Sequence, residues 1–154
     1  MKVFQKFLAW RPISWLMARI LHHADALLLR LSGGKHTFAE LSGLPIIELT
    51  TTGAKSGQPR SVPLIAVPHE GKVILIASNW GSNKHPAWYY NLKATPACTL
   101  TFDDRTEPYL AREVKGDERE IYWHIAAGYY SGYDAYKTRT SGREIPVMVL
   151  TPEH

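Results

Sequence analysis

The sequence has a single cysteine among its 154 residues, Cys98, so an intramolecular disulfide is excluded. It has no Cys/His cluster with zinc spacing, and it contains no Gly-x-Ser-x-Gly, His-Glu-x-x-His or Gly-x-Gly-x-x-Gly motif. Hydrolytic and metal-dependent chemistry are therefore disfavoured, no metal ligand is expected, and a bound organic cofactor is the better hypothesis. The lone cysteine favours a reducing compartment, so we expect a cytoplasmic protein.

Outside the N-terminal region, the basic and acidic side chains are equal in number, so there is no net charge. The formal net charge is +4, and the first 31 residues, with five basic side chains and one acidic one, hold all of that excess. A nucleic-acid-binding protein normally carries its basic patch on the folded body, which is neutral overall here. No nucleic-acid partner is expected.

The basic segment 1–31 has the pattern of an amphipathic helix. From Ile13 to Leu31 its apolar residues recur at i, i+3 and i+4, and no uncharged apolar run reaches the roughly 18 to 20 residues of a membrane-spanning helix. Two interpretations stay open. The helix packs on its own domain or a partner subunit, or it lies on an anionic membrane surface and makes the protein peripheral to the inner face of the membrane. We expect this segment to precede a single domain at 32–154.

Short β-rich runs bounded by glycine and proline dominate the rest of the sequence. The six predicted strands are 45–52, 60–67, 72–78, 97–102, 107–114 and 145–150. Two helices are predicted between them, at 86–94 and 117–130. Six short strands with few helices, mostly joined by tight turns, predict an α+β protein built on a small antiparallel barrel.

Three polar or aromatic segments are candidates for binding chemistry. Segment 50–60 combines hydroxyls, two glycines, a lysine and an arginine, which suit a phosphate or carboxylate group, although a solvated hairpin loop has the same composition. Segment 78–91 follows a strand, and its tryptophans can stack on a planar ring. Tyr130, Tyr133 and Tyr136 recur every third residue, near one face of a helix or tight turn. For each aromatic residue, core packing is the alternative.

Taken together, these segments resemble a known family. Residues 49–60, the run 85–94 and the closing Ile-Pro-Val at 145–147 are similar to the deazaflavin-dependent nitroreductase family, a resemblance that covers roughly residues 20 to 152. Its members are flavin-reductase-like split β-barrels that use the 8-hydroxy-5-deazaflavin coenzyme, coenzyme F-420. The resemblance implies an oxidoreductase that transfers a hydride from the reduced coenzyme to a quinone, a nitroaromatic compound or a similar activated planar acceptor.

The resemblance also implies a set of site residues. Those implied for the cofactor are Thr52, Lys55, Ser56, Gly57, Gln58, Arg60, Pro63, Leu64, Ala77, Ser78, Asn79, Trp88 and Asn91. Those implied for catalysis are Ser78, Tyr130, Tyr133 and Tyr136, with Ser78 and either Tyr130 or Tyr133 donating hydrogen bonds to the acceptor oxygen. Ile65 stands where some relatives have a tyrosine, which counts against nitroimidazole-type substrates.

Two other functions stay open at this point. A split-barrel enzyme that uses flavin mononucleotide (FMN) is one, because a phosphate-binding loop does not by itself distinguish the two cofactors. A non-catalytic protein that binds the deazaflavin or a hydrophobic ligand is the other. The sequence does not determine the oligomeric state.

Overall fold

The computed structural model describes residues 46–153. The expected N-terminal helix at 1–31, and the expected domain as far as residue 45, lie outside the described residues. The strands are β1 Ile46–Thr52, β2 Pro59–Ile65, β3 Val67–His69, β4 Lys72–Ile76, β5 Ala97–Phe102, β6 Arg105–Val114 and β7 Val147–Pro152. The helices are α1 Ala87–Ala94, α2 Gly116–Tyr129 and α3 Gly132–Lys137, and a 3-10 turn covers Asn79–Gly81.

The strands form one antiparallel sheet in the order β2-β1-β5-β6-β7-β4-β3. Its two edge strands, β2 and β3, are consecutive in the sequence and are separated by Ala66 alone. One extended segment therefore pairs with β1 through its first half and with β4 through its second half. The sheet curls until both of its edges belong to the same segment, which confirms the small antiparallel barrel predicted from the strand pattern.

Several element boundaries differ from the predicted ones. The predicted strand 60–67 is two strands, because the chain changes partner from β1 to β4 at Ala66. Strand β6 begins at Arg105, since Asp103 and Asp104 adopt positive φ values of 51° and 62° and close the β5–β6 hairpin. Strand β7 begins two residues later than predicted, and the carbonyl of the preceding Pro146 accepts a hydrogen bond from the Ala77 N–H instead.

Two clusters of buried side chains lie on opposite faces of β4 and β7. The first contains Leu49 of β1, Leu75 of β4 and Leu92 of α1. The second contains Ile74 of β4 and Trp123 of α2, and it includes the aromatic residues of α3. Strands β4 and β7 contribute to both clusters, which explains why their sequences are almost continuously apolar rather than alternating.

Candidate active site

The loop between β1 and β2 is a compact turn that glycine makes possible. Gly53 donates its N–H to the Gln58 carbonyl at 2.8 Å, and Gly57 donates to the Gly53 carbonyl at 2.8 Å. Gly57 has a φ of 68°, and a Cβ on Gly53 would overlap the Ser56 hydroxyl. The loop therefore has a defined shape, and its residues 54–58 are exposed.

We call residues 53–60, the loop with the start of β2, the basic loop, and two of its side chains are cations without a carboxylate partner. Lys55 and Arg60 are exposed, and within residues 46–153 neither takes part in an ion pair. Arg60 Nη2 donates a hydrogen bond to Ser56 Oγ at 3.4 Å, and Gln58 N–H donates to the same oxygen at 3.2 Å. Their charges are available to an anionic group of another molecule.

The base of this loop is attached to α1 by a buried side-chain amide. Asn91 Nδ2 donates to Thr51 Oγ1 at 3.0 Å, and Asn91 Oδ1 accepts from the Ala54 N–H at 2.9 Å. Asn91 is only 8% exposed, so both ends of its amide are used within the protein. Trp88, on the same helix, is 7% exposed and packs in the first core cluster.

A second loop follows β4 and passes through the 3-10 turn. Ser78 is buried, and the next residue, Asn79, has a positive φ of 46°. Asn79 Nδ2 donates to Ser82 Oγ at 3.1 Å and to the Lys84 carbonyl at 3.0 Å, so its amide shapes the loop. We call residues 77–82 the Ser78 loop.

Helix α1 begins five residues after this loop. The His85 ring packs against Tyr89 with centroids 4.8 Å apart, and the Tyr89 hydroxyl donates to Glu113 Oε1. Burial tends to raise the pKa of the Glu113 carboxyl, but hydrogen bonds from Lys115 and Tyr89 outweigh it and the pKa is lowered. Helix α1 thus contacts β6 through Tyr89 and the basic loop through Asn91.

Of the three predicted tyrosines, Tyr133 and Tyr136 lie in α3, and Tyr130 lies between α2 and α3. The Tyr130 and Tyr136 hydroxyls are hydrogen-bonded at 2.7 Å, and the Tyr133 ring packs edge-on against Tyr130 at 5.1 Å. All three are buried, and burial raises the pKa of each phenol. Gly81 of the 3-10 turn lies against Tyr136, since a Cβ on this glycine would come within 3.3 Å of the Tyr136 Cα. The tyrosines and the Ser78 loop are therefore neighbours.

The residues predicted for the site occupy three kinds of position. The exposed ones are Lys55, Ser56, Gly57, Gln58, Arg60 and Pro63. The half-buried ones are Thr52, Leu64 and Asn79, and the buried ones are Ala77, Ser78, Trp88, Asn91, Tyr130, Tyr133 and Tyr136. The exposed set gathers on the basic loop and β2, and the buried tyrosines gather beside the Ser78 loop. Direct contact with a ligand stays a prediction for all of them.

Comparison with known proteins places this arrangement in a family. The sequence model described as F420H(2)-dependent quinone reductase matches residues 22–152. The chain belongs to this family. An F420H(2)-dependent quinone reductase of Mycobacterium tuberculosis (strain H37Rv) is 34% identical over 110 residues, which are 70% of this chain and 73% of that protein.

Two solved structures agree with this membership. One, of an F420-H2-dependent reductase (FDR-A), is 46% identical with a TM-score of 0.63, and the match covers 69% of this chain and 93% of that one. Another, described as a domain-swapped dimer, is 39% identical with a TM-score of 0.65, and covers 91% and 99% respectively. The deazaflavin-dependent resemblance, the split-barrel fold and the expectation of an enzyme are confirmed, and the family description names F420H(2) rather than FMN.

In this member of the F420H(2)-dependent quinone reductase family, the sequence did not predict one residue that contacts the site. Arg143, between α3 and β7, binds the backbone of the Ser78 loop, more than 60 residues away in sequence. It lies in a polar turn that has no periodicity and no recognisable motif. Only the fold brings the two segments together, so the sequence carried no signal for this contact.

Proposed function

We propose that this protein transfers a hydride from reduced coenzyme F-420 to a quinone. The observation that carries the proposal is the preformed basic loop, with Lys55 and Arg60 exposed and unpaired within residues 46–153, in a chain of the F420H(2)-dependent quinone reductase family. Membership supplies the reaction class, and the loop supplies the chemistry that an anionic cofactor tail requires.

The donor set of the basic loop suits that coenzyme. The tail carries a phosphodiester and carboxylates, and Lys55, Ser56, Gly57, Gln58 and Arg60 would hold it through charge-assisted hydrogen bonds. The residues proposed for its ring are Thr52, Pro63, Leu64, Ala77, Ser78, Asn79, Trp88 and Asn91. When bound, the reduced coenzyme supplies the hydride.

The chain's own contribution is to stabilise the negative charge that develops on the acceptor oxygen. Because burial raises their pKa values, the three phenols keep their protons at neutral pH. The Tyr130 and Tyr136 hydroxyls are paired with each other, whereas the Tyr133 hydroxyl makes no hydrogen bond within residues 46–153. This supports Tyr133, with Ser78, as the donor to the acceptor oxygen.

The first test is a fluorescence titration of the purified protein with oxidised coenzyme F-420 and, in parallel, with FMN. We expect saturable binding of the deazaflavin alone. Lys55→Ala and Arg60→Ala each remove a charge-assisted contact, so each is expected to weaken binding roughly tenfold or more. Arg105→Ala, an exposed arginine at the β5–β6 hairpin, is the matched control. Preference for FMN, or binding of neither ligand, would contradict the proposal.

The proposal includes nitroaromatic acceptors, for which we expect lower turnover than for quinones. Ile65, half-buried at the end of β2, offers no hydroxyl for a nitro group. We therefore expect turnover with menadione to exceed turnover with a nitroimidazole.

In the menadione assay Tyr133→Phe should lower the rate of hydride transfer, and an unchanged rate would exclude Tyr133 as the donor.

Association with an anionic membrane surface through residues 1–31 is a further part of the proposal. The basic amphipathic pattern of the segment supports it, and no helix within 46–153 is long and apolar enough to span a bilayer. Flotation with anionic liposomes should recover the full-length protein, more so at low salt than at high salt. Equal recovery of a form lacking residues 1–31 would exclude this part.

A further inference from the structure

The guanidinium group of Arg143 donates hydrogen bonds to three backbone carbonyls of the Ser78 loop. Its Nη1 donates to the Ala77 carbonyl at 3.3 Å, and its Nη2 donates to the Ser78 carbonyl at 3.0 Å. Nη2 and Nε both donate to the Ser82 carbonyl, at 2.8 Å and 3.2 Å. One side chain therefore links the end of β4 to both ends of the 3-10 turn.

The same guanidinium also reaches the segment that leads into α1. Arg143 Nη1 lies 2.7 Å from His85 Nδ1. A guanidinium has only donors, so Nδ1 is the acceptor and the His85 ring is neutral, with its proton on Nε2. The contact fixes the chain that enters α1 relative to the Ser78 loop.

The backbone of Arg143 is itself held in place. The Thr140 hydroxyl, on a residue that is 1% exposed, donates to the Arg143 carbonyl at 2.7 Å, and the Arg143 N–H donates to the Thr140 carbonyl at 2.9 Å. Between them Ser141 and Gly142 adopt positive φ values of 52° and 85°. This turn directs the side chain of Arg143 back across the molecule to the Ser78 loop.

We propose that Arg143 is a positioning residue, which holds the Ser78 loop in the shape needed for binding the coenzyme's ring and orienting the acceptor. The inference rests on the proposed function, because that function assigns the loop to the ring. Arginine suits the task since its planar group directs five N–H donors to several acceptors at once. A lysine in its place has one ammonium group and cannot reach the three carbonyls and His85 together.

The first measurement uses no ligand. Hydrogen exchange of peptides covering 77–85 is compared between the wild-type protein, Arg143→Lys and Arg143→Gln, with Arg112→Lys as the matched control on the exposed face of β6. The Gly81 and Ser82 amides, which donate to the Ser78 and Asn79 carbonyls, should exchange about tenfold faster or more in both Arg143 variants. Exchange in β1 and β7 should not change, which shows that the variants fold.

The second measurement separates the ring from the tail. Binding of coenzyme F-420 and of the deazaflavin chromophore without its phosphodiester tail is titrated with the same proteins. Arg143→Lys should weaken both ligands by a similar factor, about tenfold, because the ring is common to them. Lys55→Ala should weaken only the ligand that carries the tail. Because exchange in β1 and β7 is expected to stay unchanged, a general loss of structure would not account for the weaker binding of the ring.

Two results would overturn the inference. One is unchanged exchange of 77–85 in Arg143→Lys. The other is faster exchange with unchanged binding of both deazaflavins, which would mean that the shape of the loop does not matter for the ring. If the wild-type protein bound neither deazaflavin, the proposed function would fail and the role at the ring would fail with it, whereas the exchange data would still report whether Arg143 holds the loop.

Discussion

At the scale of single residues, two glycines allow the close packing around α3. A Cβ on Gly132 would overlap the ring and hydroxyl of Tyr130. Gly81, with a φ of 77°, sits against Tyr136 on the other side of the cluster. The hydrogen bond between the Tyr130 and Tyr136 hydroxyls therefore depends on the absence of two side chains, as well as on the tyrosines themselves.

Substitution of Gly132 should disturb this cluster. Gly132→Ala is expected to destabilise the protein by about 1–3 kcal/mol, because the buried Tyr130 ring has to move. Gly128→Ala is the matched control: Gly128 is exposed near the end of α2, its added Cβ meets no atom within 4 Å, and alanine should stabilise the helix by roughly 0.5–1 kcal/mol. Urea denaturation measures both changes. Equal effects at the two positions would contradict this account.

The protonation state of His85 gives a pH dependence at the same scale. Burial lowers its pKa, and the charges of Arg143 and Lys115 lower it further against the opposing effect of Glu113. In the unfolded chain, His85 has a pKa near the ordinary value of about 6.5. Below that pH the unfolded state therefore binds a proton that the folded state binds only at a lower pH. The neutral ring's contribution to stability is complete above about pH 6.5 and is lost as the pH falls towards the lower folded pKa.

Urea denaturation at several pH values measures this contribution. The wild-type protein should lose more stability than His85→Gln between about pH 7 and pH 5. Comparison with the variant removes the background of the other titrating groups. Parallel curves for the two proteins would show that the contact between His85 and Arg143 does not depend on protonation.

At the scale of elements, the short helix α1 connects the two loops of the site. Its first turn packs through Tyr89 beside His85, and Asn91 holds the base of the basic loop. Eight residues of α-helix extend about 12 Å, so the two contacts lie within the span of one small element. Trp88 and Leu92 attach this helix to the first core cluster. The relative position of the two loops therefore depends on α1.

Removing the Asn91 amide should loosen the basic loop. Asn91→Ala leaves the Ala54 N–H and the Thr51 hydroxyl without their partner, at a cost of about 1–3 kcal/mol in unfolding free energy. Binding of coenzyme F-420 should weaken more than binding of the chromophore without its tail, because Asn91 is proposed beside the ring and also holds the loop that is proposed for the tail. Asn83→Ala, in an exposed loop, is the control. Equal weakening of both ligands would limit the role of Asn91 to the ring.

At the scale of the whole molecule, two core clusters within residues 46–153 share β4 and β7. A sheet common to both should make them unfold together, in a single transition. Leu49 and Ile74 are fully buried, one in each cluster.

Large-to-small substitutions on either side test this cooperativity. Leu49→Ala and Ile74→Ala should each cost about 2–5 kcal/mol, and each should speed hydrogen exchange throughout Val147–Pro152 of β7. Exchange that accelerates only in the strands nearest the substitution would show that the two clusters unfold independently.

The sequence was sufficient for the architecture but not for the contacts within the site. Strand positions were readable from apolar runs bounded by glycine and proline, and the segment of Lys55 and Arg60 was readable from its composition. The break at Ala66 was not, because both halves of that run have the same pattern and only the choice of partner differs. The contacts of Arg143 and Asn91 join residues 37 to 66 positions apart in sequence, and no local pattern reports such pairings.

The two edge strands of the barrel are also its most proline-rich ones. Pro59 and Pro63 lie in β2, and Pro68 lies in β3. Proline has no N–H, so these edges offer an incomplete ladder to any extended chain that approaches them. The segment 59–69, which forms both edges of the barrel, therefore also disfavours aggregation by pairing of edge strands.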